Sequence, residues 1–292
     1  MEKNMNEISD ILIAGGDMRQ IYCARRLSGR YGIGLAGFGD EFIPMDMLGD
    51  RADMGAREAY DCAVLPVVPL DGDDMISAPC SSAELRPEYI RDMLIPGGLI
   101  LAGKADDRLR RLFPDNEIVE YMSREELCLK NAIPTAEGAV QIALGELPVT
   151  LSGQRVLIVG MGRIGTALAA ILKGFGADVT AAVRNGRGEA KARIAGIKCI
   201  SSSDIQPGYG LVFNTVPELI FSRELLKRFG NRTLFIDLAS KPGGIDFKAA
   251  RELGIRTVWA LGLPGKTAPV TAGEMTAETI MEILAERSES HG

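Results

Sequence analysis

The stretch of sequence that decides the fold is residues 155–174, RVLIVGMGRIGTALAAILKG. Its first five residues form an apolar run that predicts a buried strand, and the residues from 164 onward have the apolar spacing of an amphipathic helix. The glycine-rich letters between them predict a tight turn from strand to helix. A strand, a glycine turn and a helix in immediate succession indicate a βαβ unit of a parallel sheet.

The turn itself, GMGRIG at residues 160–165, has the GxGxxG pattern of a dinucleotide site. In this pattern Gly160 permits the bend, Gly162 lets a pyrophosphate approach the backbone, and Gly165 lets the helix pack on the strand. The phosphates would then meet free N–H groups at the helix N-terminus. A glycine turn without a ligand is the alternative. The expected cofactor contacts in the turn are Gly160, Gly162, Arg163, Ile164 and Gly165.

The residues after the next strand indicate which dinucleotide is bound. Binders of NAD usually place Asp or Glu there, to hold the ribose 2′-OH. Here the strand VTAAV is followed by Arg184 and Asn185, and no acid occurs before Glu189. Arginine can pair with a 2′-phosphate through its charge and its forked donors. We therefore expect NADP, held in part by Arg184 and Asn185. A solvated Arg184 that tolerates either cofactor is the alternative.

Strands alternate with helix-compatible stretches through both halves of the chain, as in parallel sheets built from βαβ units. The loop LPVTLSG at 147–153 separates the halves. We predict an α/β protein with two doubly wound parallel-sheet domains, a substrate-side domain at 1–147 and a Rossmann dinucleotide-binding domain at 148–270. A last helix at 271–287, begun by a capping box at Thr271, is expected to pack back on the first domain.

Two polar loops follow strands of the second sheet, at the edge that carries ligands in open α/β proteins. One is NTVP at 214–217, and the other is DLASKPGG at 237–244. Lys241 could bind a substrate carboxylate, or transfer a proton if its pKa is lowered. Ordinary loop chemistry is the alternative for both segments. The candidates are Asn214, Thr215, Pro217 and Leu238 for the cofactor, Ser240 for the substrate, and Asp237 with Lys241 for catalysis.

Two segments outside the Rossmann half carry further candidates. The glycine turn GGDMRQ lies at the end of the first strand, and we expect its Arg19, whose forked donors suit a carboxylate, to point toward a cleft between the domains. In NAIPTAEG, residues 131–138, we expect Thr135 to cap a helix after the proline and Glu137 to lie in its first turn. Asp17, Arg19 and Thr135 are then candidate substrate contacts, and Glu137 is a candidate catalytic group. Plain helix caps and dipole-favoured residues are the alternative.

The composition excludes several other classes of protein. The 292 residues carry a net charge of −6 and no block of Lys and Arg, which argues against a nucleic-acid partner. No apolar run is long enough for a membrane span, and the N-terminus is polar, without a signal peptide. Five scattered cysteines without a CxxC indicate reduced thiols in the cytoplasm. The only histidine is His291, so we expect neither a histidine base nor a metal site.

Taken together, the motifs resemble those of the family formed by the A-subunits of dipicolinate synthase. GGDMRQ, NAIPTAEG, GMGRIGTALA, NTVP, IDLASKPGG and LGLPGKTAPVTAGE occur in the family's order and span nearly the whole chain. Residues 38–83 match the family's pattern only loosely. The resemblance implies an NADP-dependent oxidoreductase that converts a dihydrodipicolinate-type precursor from the lysine pathway into dipicolinate during bacterial sporulation. It also implies a flavoprotein-like partner, the B-subunit of dipicolinate synthase, and it leaves a homo-oligomer open.

The implied substrate is a small ring dicarboxylate, whose charge Arg19 and Lys241 would balance. Loss of hydride makes the ring aromatic, so positioning and charge balance matter more than a strong base. Such a reaction agrees with the lack of a usable histidine in this chain. The same lack counts against the D-2-hydroxyacid dehydrogenases, which need a histidine as their acid–base group. Two alternatives stay open: a shikimate-dehydrogenase-like reductase that pairs Lys241 with Asp237 or Asp17, and a binding protein that senses NADP without chemistry.

Overall fold

The computed structural model describes residues 8–52 and 59–291, so the polar N-terminal residues 1–7 lie outside it. Within those ranges no helix combines the length and the apolar character needed to cross a bilayer. Besides the regular elements, short segments of 3-10 helix occur at Asp40–Phe42, Met45–Asp50, Tyr121–Ser123 and Ser202–Asp204.

The chain divides into two compact units. One holds the described residues up to Cys128 together with those from Ala268 onward, and the other runs from Leu129 to Thr267. The division thus falls near the start of a long helix, and not in the loop at 147–153 where the sequence pattern had placed it. The physical reason is packing, because the later turns of that helix contribute buried side chains to the core of the second unit.

The first unit is built on a five-stranded parallel sheet in the order β2-β1-β3-β4-β5. Its central strands carry apolar side chains on both faces, as in Ile11–Ala14 and Cys62–Val64, since two separate cores cover the two faces of the sheet. Its elements are β1 (Asp10–Ala14), α1 (Met18–Leu27), β2 (Gly32–Ala36), β3 (Tyr60–Val64), α2 (Pro87–Met93), β4 (Leu94–Ala102), α3 (Asp107–Leu112), β5 (Ile118–Glu120) and the start of α4 (Glu125–Glu146).

The second unit is built on a six-stranded parallel sheet in the order β11-β10-β9-β6-β7-β8. The strand order reverses between β6 and β9, and ligands of open α/β sheets bind at such a switch point. The predicted fold class, two doubly wound parallel sheets with a Rossmann second domain, is confirmed. The elements are β6 (Arg155–Val159), α5 (Arg163–Gly174), β7 (Asp178–Val183), α6 (Gly186–Ile194), β8 (Lys198–Ser201), β9 (Leu211–Asn214), α7 (Arg223–Leu226), β10 (Leu234–Asp237), α8 (Phe247–Glu252), β11 (Arg256–Trp259) and α9 (Leu263–Thr267).

Helix α4 corrects two expectations for NAIPTAEG. It continues through Pro134 without a break, so no new N-terminus forms there. Thr135 does not cap a helix, because its hydroxyl donates to the Asn131 carbonyl oxygen at 2.8 Å inside α4. Glu137 lies well beyond the first turn and is exposed. The helix persists past the proline because small and apolar side chains anchor it in the core: Ala136, Ala139, Val140 and Ala143.

Helix α10 (Pro269–His291) belongs to the first unit and packs on α1. The two helices approach closely at Gly273, where a Cβ atom would lie 2.5 Å from the carbonyl oxygen of Arg19. The helix begins at Pro269, whose fixed φ suits a first turn, so Thr271 is already helical and the expected capping box does not form. Its apolar face joins the core beneath α1 through Ala277, Ile280, Ile283 and Leu284.

Candidate functional site

The three glycines of the turn after β6 have different steric surroundings. Gly160 has a φ of +92°, and a Cβ atom there would lie 2.5 Å from Thr215 Oγ1. At Gly165 a Cβ atom would overlap the carbonyl oxygen of Gly160, so only glycine lets α5 pack this closely on the turn. Gly162 is the opposite case, since no atom of the described residues lies within 4 Å of its Cβ position. The backbone of Gly162 therefore faces open space.

The N-terminus of α5 suits an anion. Its N-cap residue is Gly162, which brings no side chain to the first N–H groups of this twelve-residue helix. By contrast, Asp17 caps α1 and Asp246 caps α8 with side-chain oxygens. The first N–H groups of a helix have no partner within it, and the helix dipole favours negative charge there. With the space at Gly162, these N–H groups fit the pyrophosphate of a dinucleotide.

Arg184 follows β7 and has a partner that the sequence pattern did not reveal. Its Nη1 atom lies 2.7 and 2.6 Å from the two carboxylate oxygens of Glu218. Both side chains are largely exposed, at 65% and 55%. Glu218 lies 34 residues from Arg184, and its only signal in the sequence is its place directly after NTVP. The neighbouring Asn185 caps α6, because its Oδ1 accepts from the Gly188 N–H at 3.0 Å.

The loop after β9 is fastened to the glycine turn by side chains that were expected to contact the cofactor. Thr215 Oγ1 donates to the Val159 carbonyl oxygen at 2.8 Å. Asn214 is fully buried, and its Nδ2 donates to the Val216 carbonyl oxygen at 2.9 Å and to Asp237 Oδ1 at 2.8 Å. The Asn214 side chain therefore positions the loop and does not face a cofactor. Pro217 is exposed.

Asp237 ends β10 as a buried hub of hydrogen bonds. Besides the Asn214 amide, its Oδ1 accepts from the Ala239 N–H at 3.1 Å, and its Oδ2 accepts from the Gly244 N–H at 2.7 Å. The side chain has no exposed surface. Both oxygens thus hold the loop that follows. Asp237 therefore has a positioning role in place of the expected catalytic one.

The loop that Asp237 holds presents Ser240 and Lys241 to solvent. Gly243 has a φ of +84°, and a Cβ atom there would lie 2.9 Å from Asp237 Oδ2, so the loop needs glycine to close around the carboxylate. Leu238 was expected to contact the cofactor, but its side chain is buried in the core, which leaves only its backbone for that role. Among the described residues no acid forms an ion pair with Lys241.

In the first unit, Asp17 and Arg19 are paired with each other. Asp17 caps α1, and Arg19 Nε and Nη2 donate to its two oxygens at 2.9 and 2.8 Å. Burial opposes ionisation of Asp17, but the hydrogen bonds and the charge of Arg19 outweigh it and hold the pKa of Asp17 below its usual value. The pair is half-buried and has no net charge. Part of the Arg19 fork is therefore already occupied.

The candidates thus form two groups. In the second unit, the glycine turn, NTVP and the Asp237–Gly244 loop share the carboxyl-terminal edge of one sheet. The Asp17–Arg19 pair belongs to the first unit. Glu137 lies on α4 and has no hydrogen bond to either loop in the part of the chain that the structure describes. No group of three or more His, Cys, Asp or Glu side chains in that part is arranged to hold a metal ion.

Comparison with known proteins identifies the type of domain that carries the glycine turn. Residues 135–241 match the family model of the D-isomer specific 2-hydroxyacid dehydrogenase, NAD binding domain. This range includes the glycine turn, NTVP and the loop up to Lys241. The chain thus has a cofactor domain similar to theirs, although its only histidine is His291.

The chain is 29% identical to the A-subunit of dipicolinate synthase from Bacillus subtilis, over 97% of its own length and 98% of the relative. The crystal structure of dipicolinate synthase, A chain, from Bacillus subtilis has a TM-score of 0.82 at 28% identity, over 97% of this chain and 98% of its own. The crystal structure of the A-subunit from Bacillus halodurans has a TM-score of 0.83 at 29% identity, over 95% of this chain and 98% of its own. An apo D-lactate dehydrogenase from Escherichia coli, 14% identical with a TM-score of 0.62 over 95% of this chain and 97% of its own, shares the fold alone. The chain is thus an NAD(P)-dependent oxidoreductase similar over nearly its full length to the A-subunit of dipicolinate synthase, as its motifs predicted.

Proposed function

We propose that this chain oxidises a dihydrodipicolinate-type ring to dipicolinate with NADP, as the oxidoreductase component of a dipicolinate synthase that also contains a flavoprotein-like B-subunit. The observation that carries the proposal is the loop after β10. Asp237 locks it at the same sheet edge as the glycine turn, and it presents a lysine that no acid pairs with among the described residues. The similarity to the dipicolinate synthase A-subunit along 97% of the chain supports the reaction.

The cofactor part of the proposal rests on the second unit alone. Gly160, Gly162 and Gly165 would hold the pyrophosphate with the first N–H groups of α5. Arg184 would hold the 2′-phosphate that distinguishes NADP from NAD. A bound nicotinamide supplies an acceptor for hydride. The expected test is Arg184→Ala, which should weaken NADP binding strongly and NAD binding little.

The substrate part of the proposal rests on charge. A dihydrodipicolinate-type ring carries two carboxylates, and a site for it needs fixed positive charge. Lys241 is exposed without an acidic partner among the described residues, so its ammonium is available to a carboxylate. Arg19, in the first unit, already binds Asp17, so that pair supplies no net positive charge. Ser240 is an exposed hydroxyl beside Lys241 and would hydrogen-bond the same carboxylate.

Aromatisation removes one hydride and one proton from the ring, so the chain must also dispose of a proton. Asp237 is excluded as the acceptor because both its oxygens are engaged and buried. Glu137 stays our candidate for this step, because it is an exposed carboxylate on α4. Its replacement by Gln should slow turnover and leave NADPH binding unchanged. An equal loss of both would indicate a structural role for Glu137 instead.

The direct experiment follows NADPH absorbance after freshly generated dihydrodipicolinate is added to the purified chain and NADP. We expect NADPH formation with NADP in preference to NAD, measured with and without the flavoprotein-like partner. If NADP is reduced neither with nor without the partner, the proposed reaction is overturned. Tight NADPH binding without any turnover would instead support an NADP-sensing protein.

A shikimate-dehydrogenase-like reductase is less well supported by the geometry. That mechanism needs a lysine–aspartate pair, but Asp237 is committed to its loop and Asp17 to Arg19. A panel of simple keto-acids with NADPH separates the two reactions. Turnover of any of them would favour the reductase.

A further inference from the structure

The ion pair of Arg184 with Glu218 joins two loops that the sheet holds apart. Arg184 follows β7, Glu218 follows β9, and β6 lies between these strands. Neighbouring strands are about 4.8 Å apart, so the loops start roughly 10 Å from each other. The pair therefore passes over the end of β6, where the glycine turn begins. An adenosine bound at that turn would lie next to both charged groups.

The Arg184–Glu218 ion pair is better suited to an exchange of partners than to stabilising the fold. Both side chains are over half exposed, and exposed ion pairs contribute little to folding. Both carboxylate oxygens of Glu218 contact the same nitrogen of Arg184, so the guanidinium has further donors to offer a second anion. A phosphate carries more charge and more acceptor oxygens than a carboxylate, so it is the stronger partner for arginine.

We propose that Glu218 determines cofactor selectivity by competing with the 2′-phosphate of NADP for Arg184. The 2′-phosphate of NADP must either displace the Glu218 carboxylate or share the Arg184 guanidinium with it, and in both cases it lies near the negative charge of Glu218, which lowers the affinity for NADP. NAD has a 2′-hydroxyl, which can bind while the ion pair stays intact. Glu218 thus reduces the difference between the affinities for NADP and NAD that Arg184 creates. This inference rests on the proposed dinucleotide site at the glycine turn.

The test measures dissociation constants of NADPH and NADH by nicotinamide fluorescence, with no turnover required. The variants of the full chain are Glu218→Gln, Arg184→Ala and the double variant. Glu224→Gln is the matched control, because it removes the same charge from an exposed acid that pairs with Lys227 on α7. We expect Glu218→Gln to tighten NADPH binding about 3- to 5-fold, the upper part of the range for an exposed ion pair, and to change NADH binding less than about twofold.

The remaining variants decide whether Glu218 acts through Arg184. In the Arg184→Ala background the gain from Glu218→Gln should fall below about twofold, and Glu224→Gln should change neither constant. Unchanged or weaker NADPH binding by Glu218→Gln, or equal gains for both cofactors, would overturn the inference. If the wild-type chain binds NADH and not NADPH, the proposed NADP dependence fails, while a gain of NADPH binding in Glu218→Gln still supports competition. Binding of neither cofactor would overturn the dinucleotide site and this inference with it.

Discussion

Substitution of Gly162 by Ala separates the proposed pyrophosphate contact from the stability of the fold. A Cβ atom at this position meets no described atom within 4 Å, and the backbone angles of −77° and −157° are open to alanine. Glycine is a better N-cap residue than alanine, so the exchange costs roughly 1 kcal/mol or less at the end of α5. We therefore expect the free energy of unfolding to stay within about 1 kcal/mol of wild type.

Dinucleotide affinity should respond quite differently. The added methyl group would fill the space through which a pyrophosphate reaches the N–H groups of α5. Loss of one charge-assisted hydrogen bond costs about 1.5–3 kcal/mol, which corresponds to a loss of affinity of at least tenfold. Because NADPH and NADH share the pyrophosphate, both should lose affinity to a similar degree.

Gly165→Ala is the matched control. Its Cβ atom would overlap the Gly160 carbonyl oxygen, so α5 must shift away from the strand. Overpacking of this kind costs about 1–3 kcal/mol, or roughly 2–4 °C in Tm for each kcal/mol in a chain of this size. Thermal melts and cofactor fluorescence on both variants give the answer. A Gly162→Ala protein that melts like wild type and binds NADPH equally well would refute the pyrophosphate site.

Three further predictions concern the loops and the first unit. Asp237→Asn puts an amide against N–H donors such as that of Gly244, so at least one buried hydrogen bond is lost; we expect a loss of about 1–3 kcal/mol in thermal or urea unfolding. Lys241→Met should raise the KM for the dicarboxylate about tenfold or more and leave the Kd of NADPH unchanged; a shift in Kd alone would assign Lys241 to the cofactor. Because the folded pKa of Asp17 is lowered, its pairing stabilises the protein above about pH 4 and is lost as the pH falls through the folded pKa. Asp17→Asn should therefore flatten the acid side of a plot of Tm against pH, and an unchanged acid side would contradict that role.

Local patterns explain why the second unit could be predicted in outline. The glycine turn, its strand and its helix are contiguous in sequence, so their spacing specifies a βαβ unit without knowledge of distant contacts. The same locality placed NTVP and the 237–244 loop at the carboxyl ends of their strands. What local reasoning could not predict was where their side chains point. Asn214 and Asp237 satisfy each other across neighbouring strands, and this pairing depends on the strand order.

Tertiary packing accounts for the errors at helix ends. Pro134 suggests a break in the helix, but buried alanines in the turns that follow the proline keep α4 continuous. Thr271 with its acid three residues on has the letters of a capping box, yet Pro269 already starts α10. The pairing of Arg184 with Glu218 could not be predicted from local sequence, because both residues lie in loops whose approach is set by the sheet.

The return of α10 to the first unit has a consequence for the order in which the chain can fold. The ribosome completes every residue of the second unit before it makes the helix that covers α1. Until then the apolar faces of Ile21, Ala24 and Leu27 lack their final neighbours, and such surfaces attract other chains. The second unit can therefore fold during synthesis before the first unit has all of its core. A chain truncated directly after Thr267 would contain the whole second unit, joined to a first unit that lacks α10.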